Sequence, residues 1–337
     1  MLDLPDDRRP AVARALTQAF GVAEPDSVSR LSGGLSGAGV YRIRVGGIPY
    51  VLRLETPQNA FGDLSRAYVC LRMAADAALT PAVRYASSDD GLAILDYVEP
   101  RSLAMDYPGD GGPLVTELAQ SVRALHQAPA FPPLVDYLEG MEALIARHRA
   151  SRLLDPAVTA PVLNLYAVLA AGYRTRPDDL VSSHNDLNPA NIVYDGRRLW
   201  FIDWEAAFLA DRYVDLATLA NWFAPDPARE DLLLRTYLNA PPTGEQRARL
   251  YLMRQVNHVF YGMVMLNGAA DERPEARLPD ADLSGLSMEE IGVRLRLGDF
   301  DMTTWENRIA YAKARLRAAG DGMAGPTFDT AMAQIAA

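Results

Sequence analysis

Residues 40–54, VYRIRVGGIPYVLRL, restrict the possible folds more than any other stretch. Apolar and polar residues alternate over Val40–Val45 and again over Tyr50–Leu54, with GGIP between the two runs. Alternation sends successive side chains to opposite faces of a strand, and a Gly pair accepts the backbone angles of a tight antiparallel turn. The stretch therefore predicts a β-hairpin. A second pair of short strands is expected at Ala82–Ala86 and Leu92–Val98, around the turn SSDDG. Apolar residues at helical spacing over 8–20 and 65–78 complete an order of helix, hairpin, helix, hairpin that ends near Pro100. From Leu114 onward the pattern is mostly that of amphipathic or apolar helices. A chain of 337 residues also exceeds the size at which a single core normally stops growing. The expectation is an α+β chain with a small mixed lobe over 1–98 and a larger, mainly helical lobe over 99–337.

One segment interrupts the helices: SSHNDLNPANIVYDGRRLWFIDWE, residues 182–205. Its plain reading is a solvated polar loop leading into a buried hairpin around DGRR. Its spacing supports another. His184, Asp186 and Asn191 stand as H-x-D-x-x-x-x-N, and Asp203 follows twelve residues after Asn191, at the end of the apolar run LWFI. Phosphoryl transfer from ATP needs a carboxylate at the attacking hydroxyl, oxygen ligands for Mg²⁺, donors at the phosphates and a cover over the nucleotide. Asp186 offers the carboxylate, and Asn191 and Asp203 offer hard oxygens of the kind Mg²⁺ prefers. A turn and two short strands between them would bring both to one side of a hairpin. Upstream, the Gly-rich turn SGGLSGAG, with Ser32, Gly33, Gly34 and Ser36, could lie over the phosphates and donate backbone N–H groups.

At this point the sequence resembles the aminoglycoside phosphotransferase and choline kinase superfamily, the small-molecule branch of the protein-kinase-like fold. The resemblance is carried by HNDLNPANIVYDGRRLWFIDWEAA and DRYVDLATLANWF. LSGGLSGAGVYRIRV, YVLRLE, AALTPAVRYASSDDGLAILDYVEPRSL and LAQSVRALHQ support it, in the family's order, over roughly residues 28–223. The motif IDWEAA…DRYVDLA is closest to the choline, ethanolamine and thiamine kinase branch. The resemblance implies a two-lobed fold, ATP and Mg²⁺ as cofactors, and a small-molecule hydroxyl acceptor. It implies that His184 braces the catalytic loop and that Asp215 accepts backbone N–H bonds from it. Arg53 stands on the strand where protein kinases place a phosphate-gripping lysine. No lysine precedes Lys313 in this chain, and Arg suits phosphate by bidentate bonding. Asp96, Tyr97 and Val98 are expected at the hinge, meeting adenine through backbone groups.

The chain departs from the family at one point. The next helix normally supplies a Glu to the strand base, and the matching position here is Ala67, beside Arg66. Asp63, one turn earlier, and Glu55 are the candidates to replace it. If neither does, an inactive nucleotide-binding regulatory module becomes the competing reading.

For the acceptor, aromatic faces beside acids form cages for cationic groups, worth about 0.5–2 kcal/mol per face. Trp204, Tyr213, Trp222, Phe223, Tyr251, Phe260, Tyr261 and Trp305 lie near the resumed helices; most are expected in the core, with Tyr213 and Trp222 the first to consider for acceptor binding. Glu205 could reach a second metal or a cationic acceptor; a surface glutamate is the plain alternative. An amino alcohol such as choline or ethanolamine is the expected acceptor. Thiamine, an aminoglycoside or amino sugar, and homoserine are the alternatives.

Composition bears on partners. Net charge is −10, with 43 acids against 33 bases, which repels nucleic acid and anionic membrane and mildly favours cationic small molecules. The single cysteine, Cys70, cannot close an internal disulfide, and the polar start MLDLPDDRRP is unlike a signal peptide. No apolar run is long enough to span a bilayer. These features lead to the expectation of a cytoplasmic protein.

Overall fold

The structure, a computed structural model, describes residues 4–31, 39–55 and 63–336. By packing, the chain forms two compact units. One comprises Met1–Pro133 with Val181–Leu209, and the other Leu134–Leu180 with Ala210–Ala337.

In the first unit, α1 (Arg9–Phe20) precedes β1 (Ser27–Arg30), β2 (Gly39–Val45) and β3 (Ile48–Leu54); α2 (Leu64–Asp76), β4 (Val83–Ser87), β5 (Leu92–Asp96) and α3 (Gly112–His126) follow. The five strands form one antiparallel sheet in the order β1-β2-β3-β5-β4. The β2–β3 register pairs Val45 with Ile48, so the turn is Gly46-Gly47 alone, with φ of 58° and 77°. Two positive φ values match the right-handed twist of the flanking strands, and only glycine takes both at little cost. Ile48 and Pro49, expected in the turn, begin β3 instead. The sequence reading also missed β1, a four-residue edge strand whose SVSR has little apolar signal.

Alternation along β3 decides which side chains reach the site. Tyr50, Leu52 and Leu54 are buried with Tyr41, Ile43, Leu92 and Ile94 against Val12, Ala15 and Leu16 of α1. Arg53, one residue out of phase, points to the opposite face. Helix α2 begins at Asp63, whose carboxylate accepts from the N–H groups of Ser65 (3.0 Å) and Arg66 (3.3 Å), an N-cap that uses up this acid.

The interrupting segment folds as a hairpin of β7 (Ile192–Tyr194) and β8 (Leu199–Phe201), preceded by β6 (Leu180–Ser183), which pairs with β9 (Phe208–Asp211). Asp195 organises the DGRR turn: it accepts from the backbone N–H of Arg197 at 2.7 Å and Arg198 at 2.9 Å, and from Trp200 Nε1 at 2.8 Å. The N–H of Phe201 donates to Leu79 O at 2.8 Å and joins the hairpin to the loop after α2.

The second unit holds α4 (Tyr137–Ser151), α5 (Pro156–Gly172), α6 (Arg212–Phe223), α7 (Pro227–Leu238), α8 (Gly244–Glu272), α9 (Met288–Leu297), α10 (Trp305–Met323) and α11 (Pro326–Ala336). Helix α8 is its centre, packed by α4, α6, α10 and α11. Among the described residues no helix is long and apolar enough to cross a membrane.

The start of α6 carries a pH-sensitive group. Asp211 caps the helix, accepting from Tyr213 N–H at 2.9 Å and from the Tyr173 hydroxyl at 2.9 Å. Burial pushes its carboxyl up to about 6 despite these bonds. A raised carboxyl binds its proton more tightly in the folded chain than in the unfolded one, where its pKa is about 3.9. Its contribution to stability is therefore complete below the unfolded value and lost as pH rises through about 6. Asp211→Asn keeps a cap acceptor but removes the proton. We expect the variant's stability relative to the parent to rise by roughly 3 kcal/mol between pH 3.5 and 7. Urea unfolding of both at those two pH values measures it, and a pH-independent difference would count against this assignment.

Candidate active site

The segment that broke the helical pattern brings its polar residues together. Asp186 follows Asn185, one of two non-glycine residues of this segment with left-handed backbone; the other is Asp203, and their φ values are 64° and 68°. Asn and Asp tolerate this region better than other side chains, yet it remains a sparsely populated conformation of the kind that gathers at functional sites. Asn185 is held by its side chain, Nδ2 donating to Ala206 O at 2.9 Å.

The Asp186 carboxylate is fixed from both sides. Oδ1 accepts from Asn188 Nδ2 at 2.9 Å, and Oδ2 from Asn191 Nδ2 at 3.0 Å. Asn191 Nδ2 also donates to Asp186 O at 2.8 Å, while Ile202 N–H donates to Asn191 O at 3.0 Å. The last bond sets Asn191 and Asp203 at the same end of the β7–β8 hairpin. Asn188 was not singled out from the sequence. Its Asn-Pro pair was the available signal: Oδ1 accepts from Ala190 N–H at 2.9 Å in a local turn, which leaves Nδ2 to point at Asp186.

His184 is fully buried. Its Nε2 lies 2.9 Å from Ile202 O, its Nδ1 accepts from Asp186 N–H at 3.3 Å, and its ring packs on Trp204 with centroids 4.6 Å apart. The Nε2–H tautomer satisfies both contacts. The imidazole thus links the start of the loop to the strand leading into Asp203.

Arg53 is the electrostatic centre. Nε donates to Glu55 at 2.9 Å, and Nη2 donates to Asp203 at 3.0 Å and Glu205 at 2.7 Å. Burial alone would lower its pKa, but the Asp203, Glu55 and Glu205 carboxylates outweigh burial and raise it further. Glu205 moves the other way from a normal acid. Burial first, then the charges of Asp203 and Glu55, raise its pKa well above the usual carboxylate range, with Arg53 opposing.

The question left by Ala67 has a structural answer. Glu55, directly after the last residue of β3, supplies the carboxylate to Arg53; Asp63 caps α2 instead. Residues i and i+2 of a strand share a face, so the pairing was available from spacing. Glu55 is 5% exposed, and its backbone is tied by Arg8 Nη1 to Glu55 O at 3.1 Å and by its own N–H to Gly91 O at 2.8 Å.

Helix α2 contributes a base, Arg66, beside the position where the family pattern has an acid. Buried Arg66 donates through Nη2 to Glu205 O at 2.7 Å and through Nη1 to Ala207 O. The clamp grips the turn Trp204–Ala206 directly after Asp203.

Other expected residues fall elsewhere. Asp96 ends β5 in a bidentate pair with Arg84 (2.6 and 2.8 Å), its N–H donating to Ala82 O at 2.9 Å, and the Tyr97 ring lies 4.3 Å from the Arg42 guanidinium. Val98 follows, half-buried, in irregular backbone. Ser32, Gly33, Gly34 and Ser36 lie outside the described residues. Asp215, Tyr213 and Trp222 belong to the second unit. Asp215 is fully buried in the first turn of α6, where the helix dipole favours an acid, and Tyr213 is 2% exposed. Trp222 stacks on Tyr311 at 6.4 Å and lies against the guanidinium of Arg315, so the cation at its face is the chain's own.

Among the described residues no group of three or more His, Cys, Asp or Glu is arranged to hold a metal ion. Mg²⁺ does not require one, since one or two carboxylates with substrate phosphates and water commonly suffice. With both Asn191 N–H contacts made to Asp186, the amide oxygen is the atom left for a ligand, and Asp203 adds a hard oxygen at the same hairpin end. The donor set fits Mg²⁺.

A polar loop fixing one carboxylate, two metal-suited oxygens and a half-buried Arg on an antiparallel sheet are parts that phosphoryl transfer requires. The chain belongs to the phosphotransferase enzyme family, whose model matches residues 27–251. Its fold is similar to that of a choline/ethanolamine kinase family protein from Mesorhizobium loti, with TM-score 0.70 and 19% identity, covering 98% of this chain and 99% of that one. Choline kinase LicA from Streptococcus pneumoniae aligns with TM-score 0.63 and 16% identity, over 95% and 99% of the two chains. A spectinomycin phosphotransferase in complex with ADP and spectinomycin aligns with TM-score 0.55 and 12% identity, over 91% and 98%. In sequence, a stretch of 56 residues is 43% identical to protein LicA of Haemophilus influenzae, which is 17% of this chain and 21% of that protein.

Proposed function

We propose that the chain is a cytoplasmic, ATP- and Mg²⁺-dependent kinase that phosphorylates a hydroxyl of a small amino alcohol, choline or ethanolamine first. The observation that carries this reading is the double anchoring of Asp186 by Asn188 and Asn191, next to Asp203 and Arg53. In this reading Asp186 orients the acceptor hydroxyl and takes its proton as the oxygen bonds to the γ-phosphorus and ADP leaves. Asn191 and Asp203 would hold Mg²⁺, which supplies charge neutralisation at the phosphates. Arg53 Nη1, which takes no part in the three carboxylate contacts, is assigned to the phosphates, as are Ser32, Gly33, Gly34 and Ser36. Residues 96–98 meet adenine, and the nucleotide lobe is assigned to 1–98 and the acceptor lobe to 99–337. His184 and Asp215 support the loop. Glu205 is kept as the contact for an acceptor cation or a second metal. The amino-alcohol preference is supported by the likeness to choline and ethanolamine kinases and by the acidic balance of the chain.

The competing reading, an inactive nucleotide-binding module, drew on the missing helix acid; the Glu55–Arg53 pair removes that motive. Purified protein with ATP, Mg²⁺ and a panel of choline, ethanolamine, thiamine, an aminoglycoside and homoserine tests the proposal, read as acceptor-dependent ADP and a phosphorylated product. Turnover only outside the amino alcohols would sink the acceptor assignment. Nucleotide binding with no turnover of any acceptor would return the module.

A further inference from the structure

Arg315 on α10 is 0% exposed, yet its partners include no carboxylate. Nε donates to Tyr311 Oη at 2.8 Å and Nη1 to His258 Nδ1 at 3.1 Å. The guanidinium carbon lies 4.9, 5.1 and 5.0 Å from the ring centres of Trp222, Tyr261 and Tyr311. The neighbouring cations are matched with acids: Arg254 with Glu230, and Lys313 with Asp280. Burial and the charges of Arg315 and Arg254 hold the pKa of His258 well below its ordinary value, and its Nδ1 faces Arg315 as an acceptor without bringing negative charge.

A guanidinium stays charged even when buried, and enclosing an ion is costly unless it is paired. Three ring faces return part of that cost. Two donors of the same cluster are still unspent: Arg315 Nη2 and the indole Nε1 of Trp222 are both buried with no hydrogen-bond partner. A buried donor without a partner destabilises the fold. What the cluster lacks is negative charge that accepts two N–H bonds. An ammonium would add a second cation to rings already facing one.

We propose that Arg315 Nη2 and Trp222 Nε1 are the donors of a buried site for a small anion, either a halide or the carboxylate end of a small molecule. The site lies wholly in the helical unit and does not rest on the kinase reading. Arg315 supplies charge and one donor; the indole of half-buried Trp222 supplies the second. Close packing of Ile291, Phe300 and Tyr261 in the same cluster keeps the ligand small.

The test is thermal unfolding at constant ionic strength, with the bulky HEPES sulfonate exchanged for bromide or for acetate. The parent should show a saturable rise in Tm of a few degrees with at least one of them. Bromide alone identifies an inorganic anion, acetate alone a carboxylate, and both a shared site. Trp222→Phe, which removes one N–H and keeps a ring, should raise the half-saturating concentration about tenfold. Arg315→Met should abolish the response. Should Arg315→Met fail to fold, Trp222→Phe and the bromide anomalous signal beside Nη2 in a soaked crystal decide. No saturable response in the parent, or an unchanged half-saturation in Trp222→Phe, overturns the proposal.

Discussion

Asp186→Asn is expected to lower acceptor phosphorylation by about 10²–10⁴-fold, the range for losing a positioned general base. The substitution keeps the size of the side chain and removes its charge. Two Asn side chains now donate to the two carboxylate oxygens. An amide can accept from only one of them and must present N–H₂ to the other, so one contact becomes donor against donor. The local cost is about 1–3 kcal/mol, the range for losing a bond to a charged group, which leaves the fold standing. Nucleotide affinity should change little, because Asp186 faces the acceptor in the proposed mechanism. Steady-state ADP release with the best acceptor, beside nucleotide binding by calorimetry, separates the two effects. A kcat within tenfold of the parent would remove Asp186 from the chemistry.

Arg53→Met should be the more disruptive change to the fold. It leaves Glu55, Asp203 and Glu205 facing one another without their shared cation. Removing one partner of a fully buried ion pair typically costs about 3–5 kcal/mol, and solvent at Asp203 and Glu205 brings this cluster toward or below the lower end. Without the guanidinium, Glu205 loses the charge that opposes the rise in its pKa and holds its proton more tightly in the folded chain than when unfolded. The folded state then binds more protons, and stability falls as pH rises. Glu205 already leans this way, its pKa raised by burial and by its two acidic neighbours. The deficit should be largest at pH 8 and shrink on acidification to pH 5, measured by urea unfolding against the parent. An equal deficit at both values would show that the lost packing of the Arg stem, and not charge, is what matters. Activity should fall together with stability, since the same side chain faces the phosphates in the proposal.

Much of this site could be read from spacing. The twelve residues from Asn191 to Asp203 hold a turn and two three-residue strands, and a hairpin of that length must return its ends to one place. The Gly46-Gly47 turn and the alternation on either side of it were equally plain, and with them the face on which Arg53 stands. The segments that escaped share a cause. β1 is an edge strand held by backbone pairing, which leaves little mark on side-chain pattern. Arg66 acts on main-chain carbonyls some 140 residues away in sequence, and nothing about an Arg in a helix announces such a partner. The cluster at Trp222 was legible as aromatic, but its cation comes from Arg315, far along the chain. Tertiary packing chose the occupant of the cage, and local pattern could not.

The Arg66 clamp has one consequence for how this chemistry can vary. It holds the turn after Asp203 by the carbonyls of Glu205 and Ala207, atoms that every amino acid possesses. The joint between α2 and that turn is therefore blind to the side chains it carries. A different residue at 205 would change what the turn offers to a ligand and leave its anchorage intact. The fastening and the tool it holds are separable, and a new acceptor could be fitted to the same mount.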